Sequence, residues 1–167
     1  MRESYRGAIQ SCRARLRGAT WRYGATHRTQ PVNYATLAEW RYQLRLLLGR
    51  REAAARAAGV EPQQYMLLLQ IKGLEARGAV TIGMLAERLQ IRHHSAVELV
   101  DRLVKRGLVA RRRHDGDRRQ VVVKLRAPGE AVLRRLALNS LAELRAEAPA
   151  LVATLRRLIR EANGRRR

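Results

Sequence analysis

The hydrophobic pattern of the chain changes period near residue 107. Upstream, apolar residues recur with helical spacing, in a short stretch after Thr81 and a longer one from about His93 to Arg106. Thr81 is suited to cap the first stretch, and Gly107 follows the second where helices commonly end in a left-handed residue. Downstream, residues 108–112 and 120–125 are alternating or β-branched runs, which predict two strands. The fold must therefore place a β-hairpin directly after two closely spaced helices.

The connection between the two predicted strands is strongly charged. It contains Gly116, which can adopt the positive φ of a tight turn. From Lys105 to Arg126 there are nine basic residues and two acidic ones, net +7 over 22 positions. This charge density is the footprint expected for contact with a phosphate backbone. Two helices followed by a basic hairpin describe a winged helix-turn-helix, in which the second helix enters the major groove of DNA and the hairpin reaches the minor groove.

Further helices are predicted on the N-terminal side of this unit. Thr36 and Glu39 have the spacing of a capping box, and an apolar helical stripe follows them towards Gly59. Pro62 suits the first turn of a second helix, which ends before Gly78. These residues predict one long helix and one shorter helix ahead of the helix-turn-helix.

Two prolines divide the segment after the hairpin. Pro128 is predicted to open a fifth helix, and Pro149 to break it and start a sixth. The predicted fold class is therefore mainly α with a small β-hairpin wing (α+β). A winged helix-turn-helix over residues 62–127 lies between N-terminal and C-terminal dimerisation helices over 36–58 and 128–162.

The two ends of the chain differ from this pattern. Residues 1–33 carry seven arginines and one glutamate with no hydrophobic period, which predicts a basic, mostly disordered arm. This arm could contact DNA, act as a transit-like peptide, or be an inert or artefactual extension. Residues 163–167 form a basic tail, so 34–162 is predicted as the single domain. The net charge of +21 rests on 35 basic residues, of which all but three are arginine, a bias that a GC-rich genome also produces.

Several functional classes find no support in the sequence. No apolar run approaches the roughly 18–20 residues of a membrane span, and no secretory signal begins the chain, so a cytoplasmic protein without a membrane partner is predicted. Cys12 is the single cysteine and cannot form an internal disulfide. No nucleophile–base pair, P-loop or Gly-rich nucleotide motif is present, so neither an enzyme nor a cofactor is predicted.

The adjacent histidines of the second helix suggest a metal at first sight. Side chains at successive helical positions diverge by about 100°, so His93 and His94 do not readily bind one ion, and no metal site is predicted. Contact with DNA is the favoured role.

The predicted DNA-binding residues lie on the exposed face of the second helix and on the wing. They are Arg92, His93, His94, Ser95, Glu98, Arg102, Arg111, Asp117, Arg118 and Arg119. Glu98 is unfavourable near phosphates unless it accepts a hydrogen bond from a cytosine or pairs with Arg102, and the pairing is the favoured alternative. Asp117 lies two residues before Arg119 and can direct its guanidinium group.

These segments together resemble the MarR-type (multiple antibiotic resistance) regulators over about 33–162. The resemblance is carried by residues 60–65 (VEPQQY), 81–89 (TIGMLAERL), 100–103 (VDRL), 107–109 (GLV) and, most specifically, the wing sequence 115–119 (DGDRR) followed by VVVKL and Gly129. Recognition helices of the family often begin with Ser-Thr, where this chain has His93-His94-Ser95. Base preference is therefore left open.

The resemblance implies a homodimer in which the first, fifth and sixth helices interlock. It also implies a pseudo-palindromic operator on double-stranded DNA, with half-sites about 10 bp apart. The arginine matching Arg119 would enter the minor groove, held by the carboxylate matching Asp117. Peroxide-sensing members use a thiol near the first helix, but Cys12 lies far upstream of Thr36, so an inert thiol is favoured.

The family's usual switch is a small, often aromatic or phenolic effector between the dimer helices and the winged domain. Candidate walls of such a pocket are Trp40, Leu44, Tyr65, Met66 and Leu69, with simple core packing as the alternative for each. The predicted function is a sequence-specific transcriptional regulator, favoured as a ligand-responsive repressor and associated with the bacterial nucleoid through its DNA. A sequence-indifferent DNA-coating or architectural protein is the alternative.

Overall fold

The computed structural model describes residues 32–113 and 121–163. Its helices are α1 (Tyr34–Ala57), α2 (Pro62–Glu75), α3 (Ile82–Leu89), α4 (His93–Lys105) and α5 (Ala127–Asn163), and its strands are β1 (Val109–Arg113) and β2 (Val121–Leu125). The strands pair antiparallel, with Val109 opposite Leu125 and Arg113 opposite Val121. The predicted fold class, mainly α with a β-hairpin, is confirmed.

The hydrophobic core joins the three middle helices to the hairpin. Leu68 and Ile71 of α2, Leu85 of α3, Leu103 of α4 and Val123 of β2 are completely buried within it. Each such side chain contributes roughly 1.5–3 kcal/mol relative to exposure, so this cluster fixes the helices and the wing as one unit.

Local signals position the ends of α3 and α4. Thr81 caps α3 as predicted, since its hydroxyl accepts a hydrogen bond from the Met84 amide at 3.3 Å. The turn into α4 passes through Gln90, which has φ 54°, a left-handed conformation that non-glycine residues rarely adopt. Gly107, with φ 69°, follows α4 as predicted.

The wing is attached to the segment that precedes α3. The amide of Val123 donates to the carbonyl of Val80 at 2.8 Å, and Thr81 forms an isolated bridge with Val122. The hairpin is therefore held along one edge by the helix-turn-helix itself.

A glycine allows α5 to begin directly against the residue that precedes β1. Gly129 is buried in the first turn of α5, and a Cβ atom there would lie 2.1 Å from the carbonyl oxygen of Leu108. The same oxygen accepts a hydrogen bond from the amide of Arg126 at 3.0 Å. Only a glycine fits this approach without a backbone shift.

The predicted capping box of the first helix is wrong. The helix begins at Tyr34, so Thr36 lies inside its first turn, fully buried, and its hydroxyl accepts a hydrogen bond from the guanidinium of Arg157 on α5. Glu39 instead accepts a hydrogen bond from the side chain of Gln43 at 2.6 Å. A tertiary contact between α1 and α5 thus takes the hydroxyl that the local pattern assigned to a cap.

The predicted break at Pro149 is also wrong. The helix α5 runs unbroken from Ala127 to Asn163 with Pro149 inside it. A proline removes one helical hydrogen bond, but packing against a neighbouring helix can offset that loss. Glu147 forms an ion pair with Arg50 of α1, and the guanidinium of Arg51 donates to the Ser140 carbonyl at 3.3 Å. These contacts with α1 lie on the N-terminal side of the proline.

Candidate DNA-binding surface

Helix α4 separates an apolar face from a polar one. Ala96, Leu99, Val100 and Leu103 are buried in the core. All six predicted DNA-binding positions on this helix and its cap lie away from that core; Ser95 is half-buried and the other five are exposed: Arg92, His93, His94, Glu98 and Arg102. The polar face is therefore accessible along the whole helix, including its N-terminal end, which usually meets base edges.

The N-terminal end of α4 is suited to an anion. Arg92 occupies the N-cap position without making a side-chain cap hydrogen bond. The first amide groups of a helix carry partial positive charge and accept negatively charged groups. A phosphate here would meet both these amides and the exposed guanidinium of Arg92.

Glu98 forms no ion pair with any residue that the structure describes. The predicted pairing with Arg102 is thus absent in this conformation. Both side chains are exposed, and an exposed pair at this helical spacing contributes only about 0.3–0.5 kcal/mol, which is too little to immobilise two long side chains. The contact of Glu98 with a cytosine amino group stays a prediction.

The last three residues of the first wing strand are basic and face solvent, whereas Val109 at its start is buried. Arg111, Arg112 and Arg113 are all exposed, and Lys124 of β2 is exposed as well. These cations lie directly beside α4 because β1 follows it after three residues. Together with Arg92 and Arg102 they give this side of the protein a positive potential, which attracts polyanions.

One of these arginines is held by an acid that sequence reasoning missed. The guanidinium of Arg111 donates to the carboxylate of Asp101 on α4. The ion pair is half-exposed and so contributes little to stability, but it fixes the direction of Arg111 relative to the recognition helix. The available signal was an acid near the end of the second predicted helix, ten residues before an arginine of the first predicted strand.

Other predicted residues lie outside the part of the chain that the structure describes. These are Asp117, Arg118 and Arg119, which lie between β1 and β2 in the sequence, together with Cys12. Their roles stay predictions.

The five candidate effector residues lie in different environments. Tyr65 is buried, with Arg51, Ala54 and Leu136 around a cavity of about 10 Å³, too small for an effector. Met66 and Leu69 are exposed on α2, whereas Trp40 and Leu44 are half-buried on α1. The five side chains thus differ in exposure within one chain, so an effector pocket at these residues stays a prediction.

The described residues form neither a metal-binding cluster nor a membrane-spanning helix. Over 32–113 and 121–163, no three histidine, cysteine or acidic side chains are grouped so that they could hold a metal ion. None of the helices in those ranges is long and apolar enough to span a membrane.

The structure has the three parts of a winged helix-turn-helix. They are the short helix α3, the helix α4 with one buried and one polar face, and the basic hairpin that is attached to them. Residues 58–120 match the sequence model of the MarR family. The resemblance to MarR-type regulators is thereby confirmed for this segment, which begins directly after α1 and ends at the residue before β2. No curated protein sequence matches the chain significantly.

Solved structures extend the similarity of fold beyond this segment. AbsC, a MarR family transcriptional regulator from Streptomyces coelicolor, is 23% identical over 69% of this chain and 79% of its own, with a TM-score of 0.59. MepR from Staphylococcus aureus, a transcription regulator of the multidrug efflux pump MepA, is 14% identical over 77% of this chain and 97% of its own, with a TM-score of 0.65.

A variant of Staphylococcus aureus MepR bound to an oligodeoxyribonucleotide is also similar. It is 15% identical over 77% of this chain and 96% of its own, with a TM-score of 0.57. The chain thus has the winged-helix fold of these MarR family structures.

Proposed function

We propose that the protein is a homodimeric, sequence-specific transcriptional regulator that binds a pseudo-palindromic operator and acts as a ligand-responsive repressor. The observation that carries this proposal is the exposed polar face of α4 beside the basic strand β1. Contacts from Arg92 and the wing arginines to phosphates would supply affinity that falls with salt. His93, His94 and Ser95, at the N-terminal end of α4, would supply the discrimination between bases.

Apolar side chains left in solvent support the dimer. Of the thirteen large hydrophobic residues that are exposed in the described part of the chain, ten lie on α1 and α5. On α5 they include Val152, Leu155 and Ile159, which share one helical face. An apolar face of this kind on a soluble domain commonly marks a protein interface, and a second copy would cover both helices at once.

A titration by fluorescence anisotropy tests sequence specificity. The full-length protein is titrated with duplex DNA from immediately upstream of its own coding sequence and with a scrambled duplex of equal length, at several salt concentrations. We expect a preference of roughly 10³-fold or more for the native duplex that persists at physiological salt. Equal affinities for the two duplexes that fall together with rising salt would instead support the DNA-coating alternative, provided that DNA selected from random sequence gives the same result. The matched proteins offer no support for this alternative.

The wing arginine gives a second test. Arg119→Ala is expected to weaken operator binding by about 1–3 kcal/mol, because a minor-groove contact is lost while the core and dimer are untouched. Arg135→Ala, at an exposed position of α5, removes the same charge away from the wing and serves as the control. Operator affinity that is unchanged in Arg119→Ala would remove the wing tip from the mechanism.

Ligand response would act through the two recognition helices. An effector held between the dimer helices and the winged domain changes the separation of the two recognition helices only if it binds one arrangement of them more tightly than the other. Anisotropy of the operator complex in the presence of phenols and aromatic carboxylates checks this part of the proposal. Dissociation by one compound, with no effect of an uncharged aliphatic alcohol, is the expected result.

A further inference from the structure

The C-terminal end of α4 is tied to the connection between α1 and α2 by one side chain. Arg106 directly follows α4 and donates two hydrogen bonds, from Nη1 to Oε1 of Gln64 and from Nη2 to the carbonyl oxygen of Gly59, each at 2.6 Å. Hydrogen bonds from a charged guanidinium are roughly twice as strong as neutral ones, and two acceptors fix its orientation. Arg106 therefore joins three helices at one point.

Both acceptors belong to well-defined helix ends. Gln64 is only 6% exposed, and its Oε1 also accepts a hydrogen bond from the amide of Glu61 at 3.2 Å within the capping box of α2. Gly59 has φ 75° and ends α1, where the amide of Val60 donates to the carbonyl of Ala55 at 3.0 Å. This is the six-to-one hydrogen bond of a Schellman motif. The connection thus offers Arg106 a rigid anchor.

The location of this anchor gives it a functional consequence. Helix α1 carries part of the exposed apolar surface attributed above to the dimer, and α4 carries the residues attributed to base contact. The Arg106 contacts connect these two parts directly. From its position in the basic stretch, Arg106 would be predicted to contact a phosphate. Its guanidinium group is instead directed at Gln64 and Gly59.

We propose that Arg106 is a positioning residue that fixes α4 relative to α1, and so sets the separation of the two recognition helices in the dimer. The consequence for half-site spacing rests on the proposed function; the fixing of α4 does not. Arg106 acts through the α1–α2 connection rather than by touching DNA.

Three variants separate this role from a simple charge effect. Arg106→Gln removes the charge and both hydrogen bonds. Arg106→Lys keeps the charge but cannot span two acceptors with a planar fork. Lys105→Gln is the matched control, because Lys105 is exposed like Arg106 but makes no hydrogen bond or ion pair with a described residue.

The first measurement is a distance within one protomer. Spin labels are introduced at two exposed positions, 45 on α1 and 98 on α4, in a Cys12→Ser background. Labelled protein is diluted with unlabelled protein so that the measured distance lies within one protomer. Wild type and Lys105→Gln should give the same narrow distance distribution, whereas Arg106→Gln and Arg106→Lys should broaden or shift it. Unchanged distributions in both Arg106 variants would overturn the proposal.

The second measurement uses the native duplex that binds best, with its half-sites moved one base pair closer or further apart. Arg106→Lys should lose the wild-type preference for one spacing while keeping the wild-type dependence of affinity on salt. A phosphate contact would instead lower the salt slope in Arg106→Gln by about 0.9 per protomer, or about 1.8 for the dimer. It would also spare the spacing preference, and this outcome would contradict the proposal. If wild type prefers no duplex, the proposed function fails, yet the distance measurement still decides the role of Arg106.

Discussion

Replacing Gly129 by alanine is expected to destabilise the protein by about 3 kcal/mol, the upper end of the usual cost of overpacking. The added Cβ would lie 2.1 Å from the carbonyl oxygen of Leu108, and this neighbour is backbone rather than the end of a flexible side chain. Either α5 or the segment before β1 must move. The movement would also strain the hydrogen bond from the Arg126 amide to that oxygen.

The matched control is a glycine with free space around it. Gly73 lies inside α2, and a Cβ at this position would meet nothing within 4 Å. Because alanine favours the helix, Gly73→Ala should stabilise the protein by roughly 0.5–1 kcal/mol. Thermal unfolding at one fixed protein concentration compares the two variants with wild type.

The expected difference is large enough to measure without ambiguity. At about 2–4 °C per kcal/mol for a chain of this size, Gly129→Ala should lower Tm by roughly 6–12 °C, and Gly73→Ala should raise it by roughly 1–4 °C. If Gly129→Ala has the same Tm as wild type, then α5 does not begin in contact with Leu108.

The helix-turn-helix could be predicted from sequence because short-range rules determine it. The Thr81 hydroxyl caps α3 three residues away, and Gly107 ends α4 through a single backbone conformation. The period of the apolar residues assigned Leu99 and Leu103 to the core, and both are buried. Neither inference needed a contact with a distant part of the chain.

The errors arose where distant segments meet. Thr36 has the local pattern of a cap, yet Arg157 lies 121 residues away in the sequence and takes its hydroxyl. Pro149 has the local pattern of a helix break, yet α5 continues through it beside α1. In both cases a contact between α1 and α5 overrides a preference of a few kcal/mol or less.

The candidate site shows the same division. The exposed face of α4 follows directly from helical period, so its solvent-facing residues could be named from sequence. The contacts that orient this surface could not: Asp101 reaches Arg111 across the turn into β1, and Arg106 reaches back 42 residues to Gln64. Residues of these types occur throughout a basic chain, and only the fold determines which pairs meet.

Disrupting the apolar face of α5 should convert the protein to a monomer and reduce operator affinity at least about 100-fold, since linked half-site binding multiplies affinity by 10²–10⁴. The variant carries Leu155→Glu and Ile159→Glu, one helical turn apart. Their exposed fractions are 39% and 50% within one chain, so the protomer should still fold. Each glutamate would be buried without a partner charge only if a second copy covers this face.

Arg156→Glu with Arg160→Glu is the matched control, because both arginines are exposed on α5 and the pair adds more negative charge than the test variant. Light scattering coupled to size exclusion reports mass against the 19.0 kDa protomer, circular dichroism reports helix content, and anisotropy reports operator affinity. A folded monomer with weak binding is expected for the leucine–isoleucine variant alone. A test variant that stays dimeric would place the interface elsewhere, and a monomer with wild-type affinity would show that a single winged helix suffices to recognise the operator.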